Sequence, residues 1–67
     1  MSEISIAAAD RIIRKSSGLR VSEDAAKLLA EYLEEKGMKI SREAALYSKH
    51  AKRKTITTSD IKLVLKN

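Results

Sequence analysis

Residues 22–51 carry one long amphipathic pattern, and no other feature constrains the fold as strongly. A helix start is indicated by Ser22 followed by Glu23 and Asp24, because a serine N-cap and early carboxylates suit the positive end of a helix. Apolar residues then keep helical phase almost to the end of the segment. They are Ala25, Leu28, Leu29, Tyr32, Leu33, Ile40, Ala44, Tyr47 and Ala51. The pattern predicts a helix of unusual length.

A helix of this length does not fit inside a monomer of 67 residues. About 30 residues span ~45 Å, whereas a compact globule of this size has a diameter of ~28 Å. Either the helix breaks at Gly37 and the chain is a four-helix monomer, or the helix is continuous and another chain covers its overhanging apolar stripe. Because glycine inside a helix costs only ~1 kcal/mol relative to alanine, and no turn signal accompanies Gly37, we favour the continuous helix.

Two shorter helices are predicted, one on each side of the long one. The first runs from Ile4 or Ser5 to Lys15, and Gly18 suits a left-handed helix stop. The third begins at Thr57 with a sequence that resembles a capping box. Their apolar residues are Ile6, Ala9, Ile12 and Ile13 in the first helix, and Ile61, Val64 and Leu65 in the third. We therefore expect an all-α protein with a single domain over residues 1–67.

A partner chain is the expected source of stability. A chain this short buries only ~60% of the surface that its unfolded form exposes. Small domains usually gain further stability from disulfides or a structural metal. This sequence has no Cys and one His, so it offers neither. Lys36 interrupts the apolar stripe, so its ammonium group must extend to solvent or find a carboxylate. Glu34, Glu35 or their counterparts from a second chain are available.

The charge of the chain indicates a polyanionic partner. Fourteen Lys and Arg outweigh nine Asp and Glu, which gives a formal net charge of +5 and a pI near 9.8. Four of these cations fall between Lys49 and Lys54, where the long helix ends. A cluster of cations at the end of a helix can bind phosphate groups, although the alternative is a basic face exposed only to solvent. The two Tyr are the only aromatic residues, so the chain lacks the stacking platforms of single-strand binders.

The order and spacing of five segments resemble the histone fold, and specifically the tail-less archaeal histones. The segments are Asp10–Lys15, Arg20–Ala25, Leu33–Glu35, His50–Ile56 and Asp60–Ile61. The resemblance covers nearly the whole chain. It implies an obligate handshake dimer in which two long helices cross, and in which the first connector of one chain lies beside the second connector of the other. The partner would be an identical chain, or a paralogue in a heterodimer.

The same resemblance assigns residues to double-stranded DNA on the convex face of the dimer. Arg20 would enter the minor groove with Thr55 supporting it. Five further side chains would contact phosphates, namely Arg11, Arg14, Lys15, Lys52 and Lys54. Histone octamers bind DNA through minor-groove arginines without base-specific contacts. Without the resemblance, Arg20 would be read as a solvated loop residue.

Four residues near the second connector are assigned to structure and assembly by the resemblance. Arg53 and Asp60 would form a structural ion pair that holds the connector to the third helix. In archaeal histones the residues that match Tyr47, His50 and Asp60 lie at a contact between dimers, which implies higher oligomers on DNA.

The chain departs from the family pattern at two positions. Tyr47 stands where the family usually has an aliphatic residue, and Ser17 precedes a glycine that is displaced to Gly18. Both departures bear on higher assembly rather than on dimer formation or DNA contact. His50 has no Cys or carboxylate cluster beside it in the sequence, so we expect no metal and no cofactor.

These features favour an architectural protein that wraps and compacts chromosomal DNA, largely independently of sequence, on the chromosome in the cytoplasm. The alternative is a histone-fold protein-interaction module that serves a larger complex and binds DNA weakly. The basic second connector favours the first hypothesis, because a pure interaction module does not need it. An enzyme with a small-molecule substrate is the weakest reading, since no nucleophile and base can be named. No apolar run approaches the ~18 residues of a membrane span.

Overall fold

The computed structural model describes residues 4–66; the first three residues and Asn67, which belong to the predicted domain, lie outside the described residues. The described chain forms three α-helices and no strand. They are α1 (Ile6–Ser17), α2 (Glu23–His50) and α3 (Thr58–Lys66). This confirms the all-α class and the order of short, long and short helices. The first connector is therefore residues 18–22, and the second connector is residues 51–57.

The long helix α2 is continuous through Gly37, so the alternative of a four-helix chain is wrong. Its 28 residues span about 42 Å at a rise of about 1.5 Å per residue. A Cβ added at Gly37 would meet nothing within 4 Å. The helix begins after Ser22, whose Oγ accepts a hydrogen bond from the Ala25 amide at 3.1 Å.

Local capping explains where α1 begins and ends. The Ser5 side chain accepts from the Ala8 amide at 3.0 Å, as an N-cap does. Gly18 adopts the left-handed conformation with a φ of 73°, which confirms the predicted stop. The helix ends at Ser17, beyond the predicted Lys15, because the helical hydrogen bonding continues until Gly18 donates to the Arg14 carbonyl at 2.9 Å.

Two compact units, Met1–Glu35 and Lys36–Asn67, divide the chain. In the first unit the buried side chains are small, namely Ala9, Ala26 and Ala30. In the second unit Ala44 and Val64 are buried together with the polar residues Ser48 and Asp60. Cores built from such small side chains remove little apolar surface from water, so they stabilise a lone chain weakly.

The predicted apolar stripe of α2 is used only in part inside the chain. Leu29, Leu33 and Ile40 are half-buried, but Leu28 and Tyr32 are 69% and 56% exposed. Each core uses the alanine-rich face of α2 instead, which leaves the bulkier side chains uncovered. Several other predicted apolar residues are also exposed on the surface, namely Ala25, Tyr47, Ala51, Ile6, Ile12 and Leu65. None of the helices in residues 4–66 is long and apolar enough to span a membrane.

Candidate nucleic-acid interface

The first connector is anchored at both ends. The Ser17 hydroxyl donates to the Ile13 carbonyl at 2.6 Å and accepts from the Leu19 amide at 3.1 Å. At the other end Ser22 caps α2. Arg20 lies between these two anchors and is exposed. Its backbone is thus held by short tethers, while its guanidinium group is available to a ligand.

The three predicted phosphate-binding cations of α1 are exposed, but they are not equivalent. Arg14 Nε donates to Asp10 Oδ1, and the two groups form an ion pair. Part of the charge of Arg14 is therefore neutralised inside the chain. Arg11 and Lys15 make no ion pair with the described residues. The pair of Asp10 and Arg14 was not predicted, although acid and base four residues apart on a helix are its usual signal.

The second connector begins with a helix stop that has lysine in place of the usual glycine. The Arg53 amide donates to the Ser48 carbonyl at 2.9 Å, and the Lys52 amide donates to the Lys49 carbonyl at 2.9 Å. This pair of bonds is a Schellman motif, whose terminal residue is left-handed. Lys52 accordingly has a φ of 59°. A residue with a side chain is strained in that conformation.

Arg53 and Asp60 close the second connector onto α3. Arg53 Nη2 lies 2.7 Å from Asp60 Oδ1, and Nη1 lies 3.0 Å from Oδ2. Asp60 is 1% exposed and also accepts from the Thr57 amide at 2.9 Å, which caps α3. The hydrogen bonds from Arg53, and then the one from Thr57, hold the pKa of Asp60 well below its ordinary value. Arg53 is therefore committed to this contact inside the chain.

Ser48, near the end of α2, holds the backbone of the second connector through hydrogen bonds to its carbonyls. It is 3% exposed, and its hydroxyl lies 2.9 Å from the Thr55 carbonyl, to which it donates, and 3.3 Å from the Arg53 carbonyl. The Thr55 carbonyl also accepts from Arg53 Nη1 at 3.0 Å. Ser48 was not among the predicted site residues. Its position four residues after the buried Ala44 is the signal that could have placed it on the inner face.

These anchors present a group of exposed cations. Lys49 lies in the last turn of α2, and Lys52 and Lys54 flank the committed Arg53. None of the three lysines makes an ion pair with the described residues. The Thr55 side chain is exposed as well, so its hydroxyl can accompany them in binding a ligand.

The three residues assigned to the contact between dimers differ in accessibility. Tyr47 is 37% exposed and His50 is exposed, both near the end of α2. Asp60 is buried beneath Arg53, and both of its carboxylate oxygens accept hydrogen bonds within the chain. A second molecule could thus reach Tyr47 and His50 directly, but could not reach Asp60 without displacing Arg53.

The helices and the basic connectors agree with one class of protein. Short, long and short helices with anchored basic connectors are the arrangement of a histone-fold protein. Among residues 4–66, no group of three or more His, Cys, Asp or Glu is placed to hold a metal ion. The cations stand instead on exposed backbone segments, which suits a large polyanion better than a small substrate.

Comparison with known proteins agrees with this class. Residues 2–65 match the family of histone-like transcription factors (CBF/NF-Y) and archaeal histones. The chain is 50% identical over 66 residues to one of the subunits of archaeal histone HAN1 from Thermococcus zilligii, with 98% of each chain covered. It is 44% identical over 66 residues to probable archaeal histone 3 of Methanocaldococcus jannaschii, again with 98% of each covered. The chain belongs to this family, which makes it an architectural DNA-binding protein of chromatin rather than an enzyme.

Proposed function

We propose that this chain forms a histone dimer that wraps and compacts chromosomal DNA with little regard for base sequence. The observation that carries the proposal is the second connector, in which the Arg53–Asp60 pair and Ser48 hold Lys52 and Lys54 exposed. The family match extends across both compact units, which supports their acting as one domain. The protein then resides on the chromosome in the cytoplasm.

Contacts to phosphate supply the affinity in this proposal. Lys52 and Lys54 act as point charges on the second connector, and Arg11, Arg14 and Lys15 act on α1. Arg14 contributes least, because Asp10 already pairs with it. A bent duplex brings its phosphates together, so a curved row of cations lowers the cost of bending and favours sequences that deform easily.

Arg20 supplies shape recognition in the minor groove. A planar guanidinium suits a narrow and strongly negative groove better than an ammonium does. The short tethers on both sides of Arg20 limit the entropy that its backbone loses on binding. Thr55, whose side chain is exposed, supports Arg20 from the second connector of the partner.

Dimerisation follows from the surface that a single chain leaves uncovered. Leu28, Tyr32 and Leu46 on α2 are 69%, 56% and 67% exposed. Covering side chains of this size contributes roughly 1.5–3 kcal/mol each, whereas the cores of the chain itself contain mainly alanine. The partner is a second histone-fold chain, either identical or paralogous. The relative from Thermococcus zilligii is named as a subunit, which fits the paralogous case.

Association between dimers on DNA is assigned to Tyr47 and His50. Both are exposed near the end of α2, whereas Asp60 acts only by keeping the second connector and α3 in place. Replacing His50 by Gln should shorten the longest DNA fragments protected from nuclease, while the smallest protected fragment persists. If the mutant protects the same long fragments, His50 is not part of the contact.

The experiment that tests DNA wrapping compares three variants on random-sequence duplex DNA over a range of salt concentrations. Lys54→Ala should lower affinity for every duplex and reduce the salt slope by about 0.9 for each phosphate that the variant no longer neutralises. Arg20→Ala should shorten nuclease protection more than Lys54→Ala does. Lys62→Ala is the matched control, because Lys62 is an exposed lysine of α3 outside both connectors.

Two results would contradict the proposed interface. If Lys62→Ala weakens DNA binding as much as Lys54→Ala does, affinity depends on the net charge of the protein. The connectors then do not form the DNA-binding site. If neither Lys54 nor Arg20 affects binding, the connectors do not bind DNA, and the alternative of a protein-interaction module is favoured.

A further inference from the structure

Lys36 places a positive charge in the middle of the apolar face of α2. The midpoint of this 28-residue helix lies between Lys36 and Gly37. Leu33 precedes Lys36 by three residues and Ile40 follows it by four, so helical geometry puts the three side chains on one face. Leu33 and Ile40 are half-buried, and Lys36 is exposed.

No described residue forms an ion pair with Lys36. The residues three and four positions away along α2 are Tyr32, Leu33, Lys39 and Ile40, none of which is acidic. The Lys36 side chain makes no hydrogen bond or ion pair with any residue in 4–66. A like charge, Lys39, is its nearest ionisable neighbour by helical spacing.

A groove beside Lys36 can receive a side chain from another molecule. It has a volume of about 440 Å³ and lies within the second unit. Its lining residues are Lys36, Lys39, Ile40, Glu43, Val64 and Leu65. Two ammonium groups outweigh one carboxylate there, so the groove attracts an anion, while the apolar members suit a methylene stem.

The flanks of the α2 midpoint complement each other in an antiparallel pair. When two such helices cross at their midpoints about a two-fold axis, residues at equal distances from the midpoint lie opposite each other. Leu33 then faces Ile40, and the acidic stretch of residues 31–35 faces the basic stretch of residues 38–42. This layout fits a partner with the same pattern of flanking charges.

The centre of a pair of identical chains does not share this complementarity. The two Lys36 side chains converge beside Gly37, which has no side chain to separate the helices. Packed helix axes lie ~8–10 Å apart, so the two ammonium groups are within the range at which like charges repel in a partly desolvated interface.

We propose that Lys36 selects a non-identical histone-fold partner, an inference that rests on the proposed dimer. The partner shares the acidic and basic flanks of this chain and presents a carboxylate, from Glu or Asp, at the middle of its long helix. That carboxylate enters the groove beside Lys36 and pairs with it. The pairing replaces a repulsion by an attraction at the centre of the interface, where a charge match affects specificity most.

Mixing the wild-type chain with a Lys36→Glu variant tests the proposal. One chain is labelled with ¹⁵N, equal amounts are mixed and equilibrated, and native mass spectrometry measures the three possible dimers. Random assortment gives mixed dimers as half of the total, whereas a favourable charge match should raise them to about nine-tenths. Wild-type chain mixed with Lys62→Glu, which carries the same charge change on α3, should give half. Random assortment with Lys36→Glu would overturn the proposal.

A second variant keeps the test decisive if Lys36→Glu does not fold by itself. Lys36→Met removes the repulsion in the homodimer, so its dissociation constant should fall about tenfold below that of the wild-type homodimer. An unchanged or larger constant overturns the proposal. Gel shifts on the same samples distinguish failure of the Lys36 proposal from failure of the proposed DNA-binding function. Random assortment with intact DNA binding contradicts only the role of Lys36. Loss of DNA binding by every dimer contradicts the proposed function.

Discussion

Replacing Lys52 by Gly should stabilise the protein, although it removes a proposed DNA contact. Lys52 has a φ of 59° at the end of α2, and this left-handed conformation costs an L-residue about 1–2 kcal/mol. Glycine adopts it freely but loses about 0.5–1 kcal/mol more chain entropy on folding. The expected net gain is about 0.5–1 kcal/mol per chain, which corresponds to a rise in Tm of about 2–8 °C for a domain of this size.

Lys52→Ala is the control that isolates the backbone effect. Alanine removes the same charge but keeps a Cβ in the left-handed conformation, so it should not raise the Tm. Melting is followed by circular dichroism at one fixed protein concentration, because the Tm of a dimer depends on concentration. Both variants should lose DNA affinity equally, since both lose the same ammonium group. Equal Tm values for the glycine and alanine variants would refute the argument from backbone strain.

The remaining predictions concern folding and its dependence on pH. The Tm of the wild-type chain should rise with protein concentration, because apolar side chains exposed in one chain are covered in the dimer; a constant Tm with monomeric mass would contradict this. Ser48→Ala should lower the free energy of unfolding by about 1 kcal/mol in urea titrations, with the exposed Ser41→Ala as a neutral control. Because the pKa of Asp60 is lowered in the folded chain, its contribution to stability is present at neutral pH and is lost as pH falls below the ordinary aspartate value. The stability gap between wild type and Asp60→Asn should therefore shrink from pH 7 to pH 3, and a constant gap would contradict the assigned ion pair.

Much of the candidate interface can be located from the sequence, because its cations follow each other closely along the chain. Lys52 and Lys54 are predicted in the second connector, and both are exposed there. The family resemblance suggests the pairing of Arg53 with Asp60, and the structure contains this ion pair. The support from Ser48 could not be foreseen, since its carbonyl partners are identified only when the connector folds back over the end of α2.

The sequence by itself determined the helices and, to within about two residues, their ends. Ser5 and Ser22 accept from backbone amides three residues later, Gly18 donates to the Arg14 carbonyl, and Asp60 accepts from the Thr57 amide. All of these contacts lie within a few residues, so they depend on local geometry alone. The persistence of α2 through Gly37 is similarly local, because one glycine costs less than the surrounding helix-forming residues gain.

Only the tertiary structure decided which apolar residues are buried. The sequence places Leu28 on the inner stripe, yet Ala26 and Ala30 are buried and Leu28 is exposed. Burial depends on what lies across from a side chain, and helical periodicity alone does not contain that information. Asp60 shows the same limit, because its charge is evident in the sequence but its enclosure by Arg53 arises only when α3 and the second connector come together.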